Sequence, residues 1–336
     1  MSVSVDGAVL AGEVLYPATE ALGSVLLLSG SGPQDRFQTL GGVGTFQRLA
    51  EAIRSEGYIV TIWDDRGVGD STGDYLDADE GDLAADVCAV ARWLTAATGQ
   101  VEHVLVGHSQ GTLVAMLAAI ASPETFRGVL LLAPPGRPGR DVLLWQHRRL
   151  LLAAGASEDE ADFSCARQER LFDILLEWDE GSDGFADRDR IAQRLRRVLA
   201  EGIEGEPDEP TRAAIDDAVE DLMEWEWRFL LRSKPADLLA QLRCRVAVIV
   251  GDRDDHVDCS AAIEALRASG KAFALNVVSD HDHLFCHIQP DDGLASKSEP
   301  RPFSDIALSF VRKMLREICQ HGPVKRTRHG KSEGAE

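Results

Sequence analysis

Val104-Leu105-Val106-Gly107-His108-Ser109-Gln110-Gly111 is the stretch around which the rest of the chain arranges itself. The run from Val101 to Val106 reads as a buried strand, and Thr112 to Ala121 is apolar almost throughout, as a helix beneath a sheet would be. Between them stands Gly-x-Ser-x-Gly in the context that gives the motif meaning, strand before and helix after. Side chains flanking so sharp a turn would clash, so glycine is expected at Gly107 and Gly111. The Ser109 hydroxyl is then presented at the carboxyl edge of the sheet. The Gln110 N–H, opening the helix, faces any oxyanion formed there.

Alternating strands and helices extend outward from this turn. Towards the N-terminus lie a hairpin around Asp6-Gly7, a strand over Ser24 to Leu28, a helix over Thr45 to Glu56 stopped by Gly57, a strand over Tyr58 to Trp63 and a helix over Asp82 to Ala97. Gly128 to Ala133 is the next strand. Short continuous apolar strands alternating with helices predict an α/β fold, a mostly parallel twisted sheet with helices on both faces. From about Arg137 the pattern changes. Asp141 to Ala154, Glu158 to Trp178, Asp187 to Ala200 and Thr211 to Leu231 read as helices with no strand between them, and Ser157-x-x-Glu160 is a capping box. After Pro235 the α/β alternation resumes, with strands at Arg245 to Val250 and Ala272 to Val278 and a last helix at Phe303 to Ile318. The expected organisation is a core of residues 1–136 and 235–320, an inserted all-helical cap over 137–234, and a disordered basic tail at 321–336.

The 336 residues are 44% hydrophobic and 27% charged, with a formal net charge of −21. That balance suits a soluble globular protein and argues against nucleic acid or an anionic membrane as partner. No apolar run approaches the roughly 20 residues of a membrane span. Met1 to Ala11 lacks the basic and apolar regions of a signal peptide, and six scattered cysteines without a CxxC read as reduced thiols, so a cytoplasmic location is expected.

A serine hydroxyl is a poor nucleophile at neutral pH and needs a base held by an acid. In such sheets these groups gather at the carboxyl ends of strands. One strand ends in Gly251-Asp252-Arg253-Asp254-Asp255-His256-Val257-Asp258. Asp254, at the crest of the loop, is the favoured acid; Asp255 is the alternative, and Asp258 is placed to cap the next helix. The next strand ends in Ser279-Asp280-His281-Asp282-His283-Leu284-Phe285. His283 is favoured as the base because Leu284 and Phe285 would anchor it by burial; His281 is the alternative. His108 is expected to turn into the packing beside the sheet, and the remaining histidines to be surface or packing residues. The second oxyanion donor is expected from the loop Ser29-Gly30-Ser31-Gly32, with the Ser31 N–H favoured. This loop lacks the lysine of a phosphate-binding loop, so no nucleotide and no other cofactor is expected. A metal site from His281, His283, His287 and the aspartates matches no familiar ligand spacing, and none is expected.

Three motifs then stand out: Gly30-Ser31-Gly32-Pro33-Gln34-Asp35-Arg36, Asp64-Asp65-Arg66-Gly67-Val68-Gly69-Asp70-Ser71 and Asp282-His283-Leu284-Phe285. With the opening Val9 to Pro17 and Trp227-Arg228-Phe229-Leu230, they make the chain resemble the α/β-hydrolase superfamily, and within it the bacterial capped serine esterases. The resemblance covers Val3 to about Ile318, weakly in the cap. It implies an α/β-hydrolase fold, a triad of Ser109, Asp254 and His283, an oxyanion site at Ser31 and Gln110, and a small-molecule acyl substrate. Asp282 stands where these proteins usually carry asparagine; its charge would raise the His283 pKa and move activity to higher pH. The expected function is hydrolysis of a carboxylic ester, thioester or lactone. Peptidase or acyltransferase action on the same triad, a non-catalytic small-molecule receptor and a metal-dependent hydrolase are the other readings. Cap aromatics (Trp145, Phe163, Phe172, Trp178, Trp225, Trp227, Phe229) are expected mainly as helix-packing core, with an acyl pocket as their other possible use.

Overall fold

A computed structural model describes residues 1–178, 184–203, 205–289 and 302–320. The chain begins with β1 (Ser2–Val5) and β2 (Ala8–Leu15), paired antiparallel with Val3 opposite Leu10. Gly7 turns this hairpin at φ 71°, a conformation that favours glycine. There follow β3 (Gly23–Leu28), a small ribbon of β4 (Thr39–Leu40) and β5 (Val43–Gly44), α1 (Thr45–Ser55), β6 (Tyr58–Trp63), α2 (Glu80–Thr98), β7 (His103–His108), α3 (Gly111–Ala121) and β8 (Phe126–Leu132). The ribbon was not expected; strands of two residues leave no alternation to read.

The strand order is β1-β2-β6-β3-β7-β8, completed by β9 (Arg245–Gly251) and β10 (Ala274–Val278). Pairings from β6 to β10 are parallel, and β2 joins β6 antiparallel. The central strands are buried on both sides, and their residues alternate between two cores. Leu26, Leu105, Leu131 and Val248 pack with α2 and α3 on one face. Val25, Val104, Leu130 and Ala247 pack on the other with α1 and with α11 (Asp305–Gln320). This is the α/β architecture expected from the alternation. β7 runs two residues later than the apolar run suggested, because His103 is buried in it, bonded to Ser24 and Thr95.

Between β8 and β9 come α4 (Gly139–Ala153), α5 (Glu158–Leu176), α6 (Gly184–Leu199), α7 (Glu209–Leu222), α8 (Trp225–Arg232) and α9 (Pro235–Gln241). The Ser157 capping box forms: its Oγ accepts the Glu160 N–H, and Glu160 accepts the Ser157 N–H at 2.8 Å. Leu171, Phe172, Leu175, Ile191, Leu195 and Val219 belong to a cluster of their own, apart from the two sheet cores. The helix expected over Thr211 to Leu231 is two helices, broken at Met223 and Glu224. Neither glycine nor proline marks the break, so apolar spacing alone ran through it. Of the aromatics, Phe172, Trp178 and Phe229 are buried, whereas Phe163 is exposed. The Trp225 side chain and the basic tail at 321–336 lie outside the described residues. Between β9 and β10, α10 (Cys259–Ala268) is capped by Asp258, whose carboxylate accepts the Ala261 N–H at 3.0 Å. Among the described residues no helix is long and apolar enough to cross a membrane.

Candidate active site

The turn after β7 is built as its glycines demand. A Cβ on Gly107 would come within 2.4 Å of the Gly111 carbonyl, and one on Gly111 within 2.1 Å of the Ser29 carbonyl. Ser109 itself sits at φ 52°, a left-handed conformation that is costly for a residue with a side chain and is held here by its neighbours. Its N–H donates to the Leu132 carbonyl at 2.9 Å, tying the turn to β8. The residue is partly exposed at the carboxyl edge of the sheet.

Asp254 and His283 arrive from the loops after β9 and β10. Both are 7% exposed, and His283 Nδ1 lies 2.8 Å from Asp254 Oδ2. The other Asp254 oxygen accepts the N–H groups of His256 and Val257, each at 2.8 Å. Burial disfavours charge on Asp254, yet the His283 ring and these donors hold its pKa below the ordinary carboxylate value. Burial likewise works against the charged His283, but the Asp254 charge and hydrogen bond prevail, with smaller help from Asp255 and Asp282, and its pKa is raised. With Asp254 charged, Nδ1 carries the proton and Nε2 is left as a base.

The His283 loop is anchored where Phe285, fully buried at φ 57°, stacks 5.1 Å from Phe303. Asp282 turns back on the loop, its Oδ1 accepting the Leu284 and Cys286 N–H groups. His281 has both ring nitrogens engaged, at the Ser279 carbonyl and the Ser304 hydroxyl. Asp255 bonds His256 instead of His283. Among the described residues no hydrogen bond closes between Ser109 Oγ and His283 Nε2. The two loops meet through His108. Its Nε2 donates to the His283 carbonyl at 2.9 Å, and the two rings stand 4.9 Å apart. Burial holds the His108 pKa down at about 3, so the ring stays neutral. Bonds between nucleophile and base are commonly long in an empty site and tighten with substrate.

Ser31 and Gln110 offer N–H groups that donate to no acceptor among the described residues. Their loop is fixed from below by residues the sequence reading left without a role. Gln38 accepts the Gly30 N–H at 2.8 Å and approaches His108 Nδ1 at 3.2 Å, so it joins the glycine loop to the turn. Asp65 Oδ2 accepts the Gln34 N–H and the Ser29 hydroxyl. Glu226, on α8, accepts the Gly32 N–H at 2.9 Å across 194 positions of sequence. Arg36 grips Asp64 through Nε and Nη2, and Asp64 is 2% exposed. Arg36→Ala would leave that carboxylate buried with only the backbone N–H groups of Arg36 and Asp70. Loss of about 3 kcal/mol in urea unfolding is expected, at the low end for a broken buried pair because those donors remain. A loss below about 1 kcal/mol would show that the clamp does not hold the loop.

His256 stacks on His283 at 4.7 Å, a neighbour not foreseen, and Asp254, His256 and His283 bring ligand atoms within 4.8 Å of one another. That set does not fit a cation: both Asp254 oxygens already accept N–H donors, and His283 Nδ1 carries one of those protons.

A family model described as "Serine aminopeptidase, S33" matches residues 41–161. Esterase EstD of Thermotoga maritima is 27% identical over 142 residues, 42% of this chain and 34% of its own. A monoglyceride lipase homolog of Monkeypox virus is 33% identical over 92 residues, 27% of this chain and 33% of its own. The chain thus spans about one third of the length of the curated relatives it matches. Solved structures align over nearly the whole chain. Est1E from Butyrivibrio proteoclasticus with ferulic acid bound has a TM-score of 0.54 at 16% identity, covering 95% of this chain and 98% of its own. A proline iminopeptidase from Mycobacterium smegmatis reaches 0.55 at 15% identity with the same coverage. At such identities the likeness concerns the fold, and it is the fold derived above. By that likeness the chain has an α/β-hydrolase fold, and the family model matches it locally, through the Ser109 turn.

Proposed function

We propose that this chain is a serine hydrolase that cleaves a carboxylic ester through an acyl-enzyme on Ser109. The observation that carries the reading is the buried Asp254–His283 pair, 2.8 Å apart and bonded through His108 to the strained turn that presents Ser109. His283 Nε2 takes the hydroxyl proton as Oγ bonds to the acyl carbon, and the carbonyl pair moves onto oxygen, held by the N–H groups of Ser31 and Gln110. The tetrahedral species collapses, the C–O bond to the alcohol breaks, and the alcohol leaves with the proton from His283. Water then gives a proton to His283, adds to the acyl carbon and releases the acid, and the proton returns to Ser109. The names of the relatives, esterase and monoglyceride lipase homolog, support an ester substrate. Thioesters and lactones use the same steps. The description of the matching family as serine aminopeptidases favours one second reading, peptide hydrolysis on the same residues.

We take residues 137–234 as a cap over this site. The reading is supported by two ties: Glu226 of α8 holds Gly32, and Gln146 of α4 donates to the His256 carbonyl at 2.6 Å. The test of the nucleophile is covalent. A fluorophosphonate should add one phosphonyl group to the intact protein, mapped to Ser109 by peptide mass. Labelling at another residue, or none, sinks the reading. A series of p-nitrophenyl esters against aminoacyl p-nitroanilides then separates esterase from peptidase.

The His283 environment sets the pH response. Catalysis needs the neutral ring, so activity rises with pH as His283 loses its proton, and the raised pKa places that limb above the ordinary histidine value. Asp282→Asn keeps an oxygen for the Leu284 and Cys286 N–H groups while removing one charge that favours the protonated ring. The acid limb of kcat/KM should therefore move to lower pH. A limb that stays put, or moves up, removes Asp282 from the electrostatics of the site.

A further inference from the structure

The Gln110 backbone N–H has a place in the reaction above; its side chain has none. That side chain is in a residue only 3% exposed, and neither its Oε1 nor its Nε2 has a hydrogen-bond partner among the described residues. Glu226 lies close enough for the amide to ease its charge, without meeting hydrogen-bond geometry. A buried amide left unpaired at both ends is costly, and native proteins rarely keep one without a use. Gln110 lines a small cavity of about 40 Å³ together with Gly30, Asp65, Tyr75 and Arg66. Neither Ser109 nor His283 lines it, so it lies beside the nucleophile and not over it. The separation is small: a Cβ on Gly30, in the cavity wall, would stand 3.5 Å from the Ser109 Cβ.

The polar groups of this cavity narrow what could fill it. Asp65 uses Oδ2 for its two donors, which leaves Oδ1 without one among the described residues. The residue is only partly covered as a whole, but burial of its carboxyl group pushes the pKa up to about 7. Arg66 is committed to Asp86 through two bonds of 2.7 and 2.8 Å. An apolar group would leave Gln110 unmet. A cation could satisfy Oε1 and Asp65 but would leave Nε2 facing only Glu226, which is out of hydrogen-bond geometry. An anion would satisfy Nε2 and be repelled by Asp65. A hydroxyl accepts from Nε2 and donates its one proton to Oε1 or to Asp65, and so meets a donor and an acceptor of the cavity at once.

We propose that this cavity is a subsite for a hydroxyl-bearing portion of the ester, read by the Gln110 side chain with Asp65. The inference rests on the acyl-enzyme reading and narrows its substrate class. The hydroxyl could belong to the alcohol or to the acyl part, and matched pairs tell them apart: 1-monobutyrin against propyl butyrate, and methyl 3-hydroxybutyrate against methyl butyrate. In one pair the hydroxylated ester should be favoured in kcat/KM by about tenfold, the worth of roughly one net hydrogen bond. Gln110→Met keeps the backbone N–H and the bulk, and should bring that ratio close to one, whatever it does to the rates themselves.

A binding measurement stands beside the kinetics. In Ser109→Ala protein, ligand-observed NMR should show the favoured hydroxylated ester binding more tightly than its partner. Ratios near one in both pairs, with Ser109 still labelled by fluorophosphonate, overturn the subsite, leave the acyl-enzyme reading standing and mean that the cavity holds only water. A preference that survives Gln110→Met, or equal binding in Ser109→Ala, overturns it as well. No label and no turnover of any ester overturns both readings.

Discussion

Ser109→Ala is expected to lower kcat for p-nitrophenyl acetate on the order of 10⁶-fold and to abolish fluorophosphonate labelling, with little change in stability. The size follows from what is lost. On the proposed mechanism, no acyl-enzyme forms without Oγ, and His283 and Asp254 have no proton to move. Residues that act as a unit lose nearly all their effect when the nucleophile goes, and what remains, about 10³- to 10⁴-fold over water, comes from oxyanion stabilisation and binding. Stability should change by no more than about 0.5 kcal/mol, because Oγ makes no hydrogen bond among the described residues and the turn is held by the Ser109 N–H to Leu132 and by its glycines. This pairing of a large kinetic loss with an unchanged unfolding midpoint is the useful readout. Turnover that persists in Ser109→Ala and falls with chelator would point to a metal-dependent hydrolase. Tight binding of esters without turnover by the native protein would point to a receptor.

Asp254→Asn should cost about 10⁴-fold in kcat while leaving the loop in place. The asparagine Oδ1 can still accept the His256 and Val257 N–H groups that hold the loop. Its Nδ2 then faces His283 Nδ1 and donates to it, which forces the ring proton onto Nε2, the atom that must accept the proton of Ser109. On the proposed triad the expected loss comes from the wrong tautomer and not from a lost contact. Asp255→Asn is the control, because Asp255 bonds His256, on the solvent side of the stack. It should change kcat less than tenfold. If instead Asp255→Asn is the crippled variant and Asp254→Asn is active, the acid has been assigned to the wrong aspartate.

The features legible in the sequence were those decided within a few residues. Gly107 and Gly111 announce a turn because a Cβ at either would strike backbone, whatever lies around it. Ser157 and Glu160 cap their helix because the partners are three apart. Asp258 could be set aside as a cap for the same reason. Phe285 was readable as the anchor of the His283 loop because a large apolar side chain in a short polar loop has to be buried. Other features gave weak local signals or none. The break between α7 and α8 carries no glycine or proline, and the two-residue strands have no period. His256 looked like one more loop histidine until the fold laid it on His283.

By itself, then, the sequence determined the alternation of strands and helices, the Ser109 turn and the short list of acids and bases that could serve it. These depend on backbone geometry and spacing along the chain, which neighbouring residues impose on one another. Only the tertiary structure decided which aspartate meets His283, that Gln38 and His108 join the glycine loop to the turn, that Glu226 reaches Gly32 from 194 residues away, and that the Gln110 amide is buried without a partner. The reason is physical. A hydrogen bond between distant residues, or the lack of one, is set by which loops the sheet order brings to the same edge, and no local propensity carries that information.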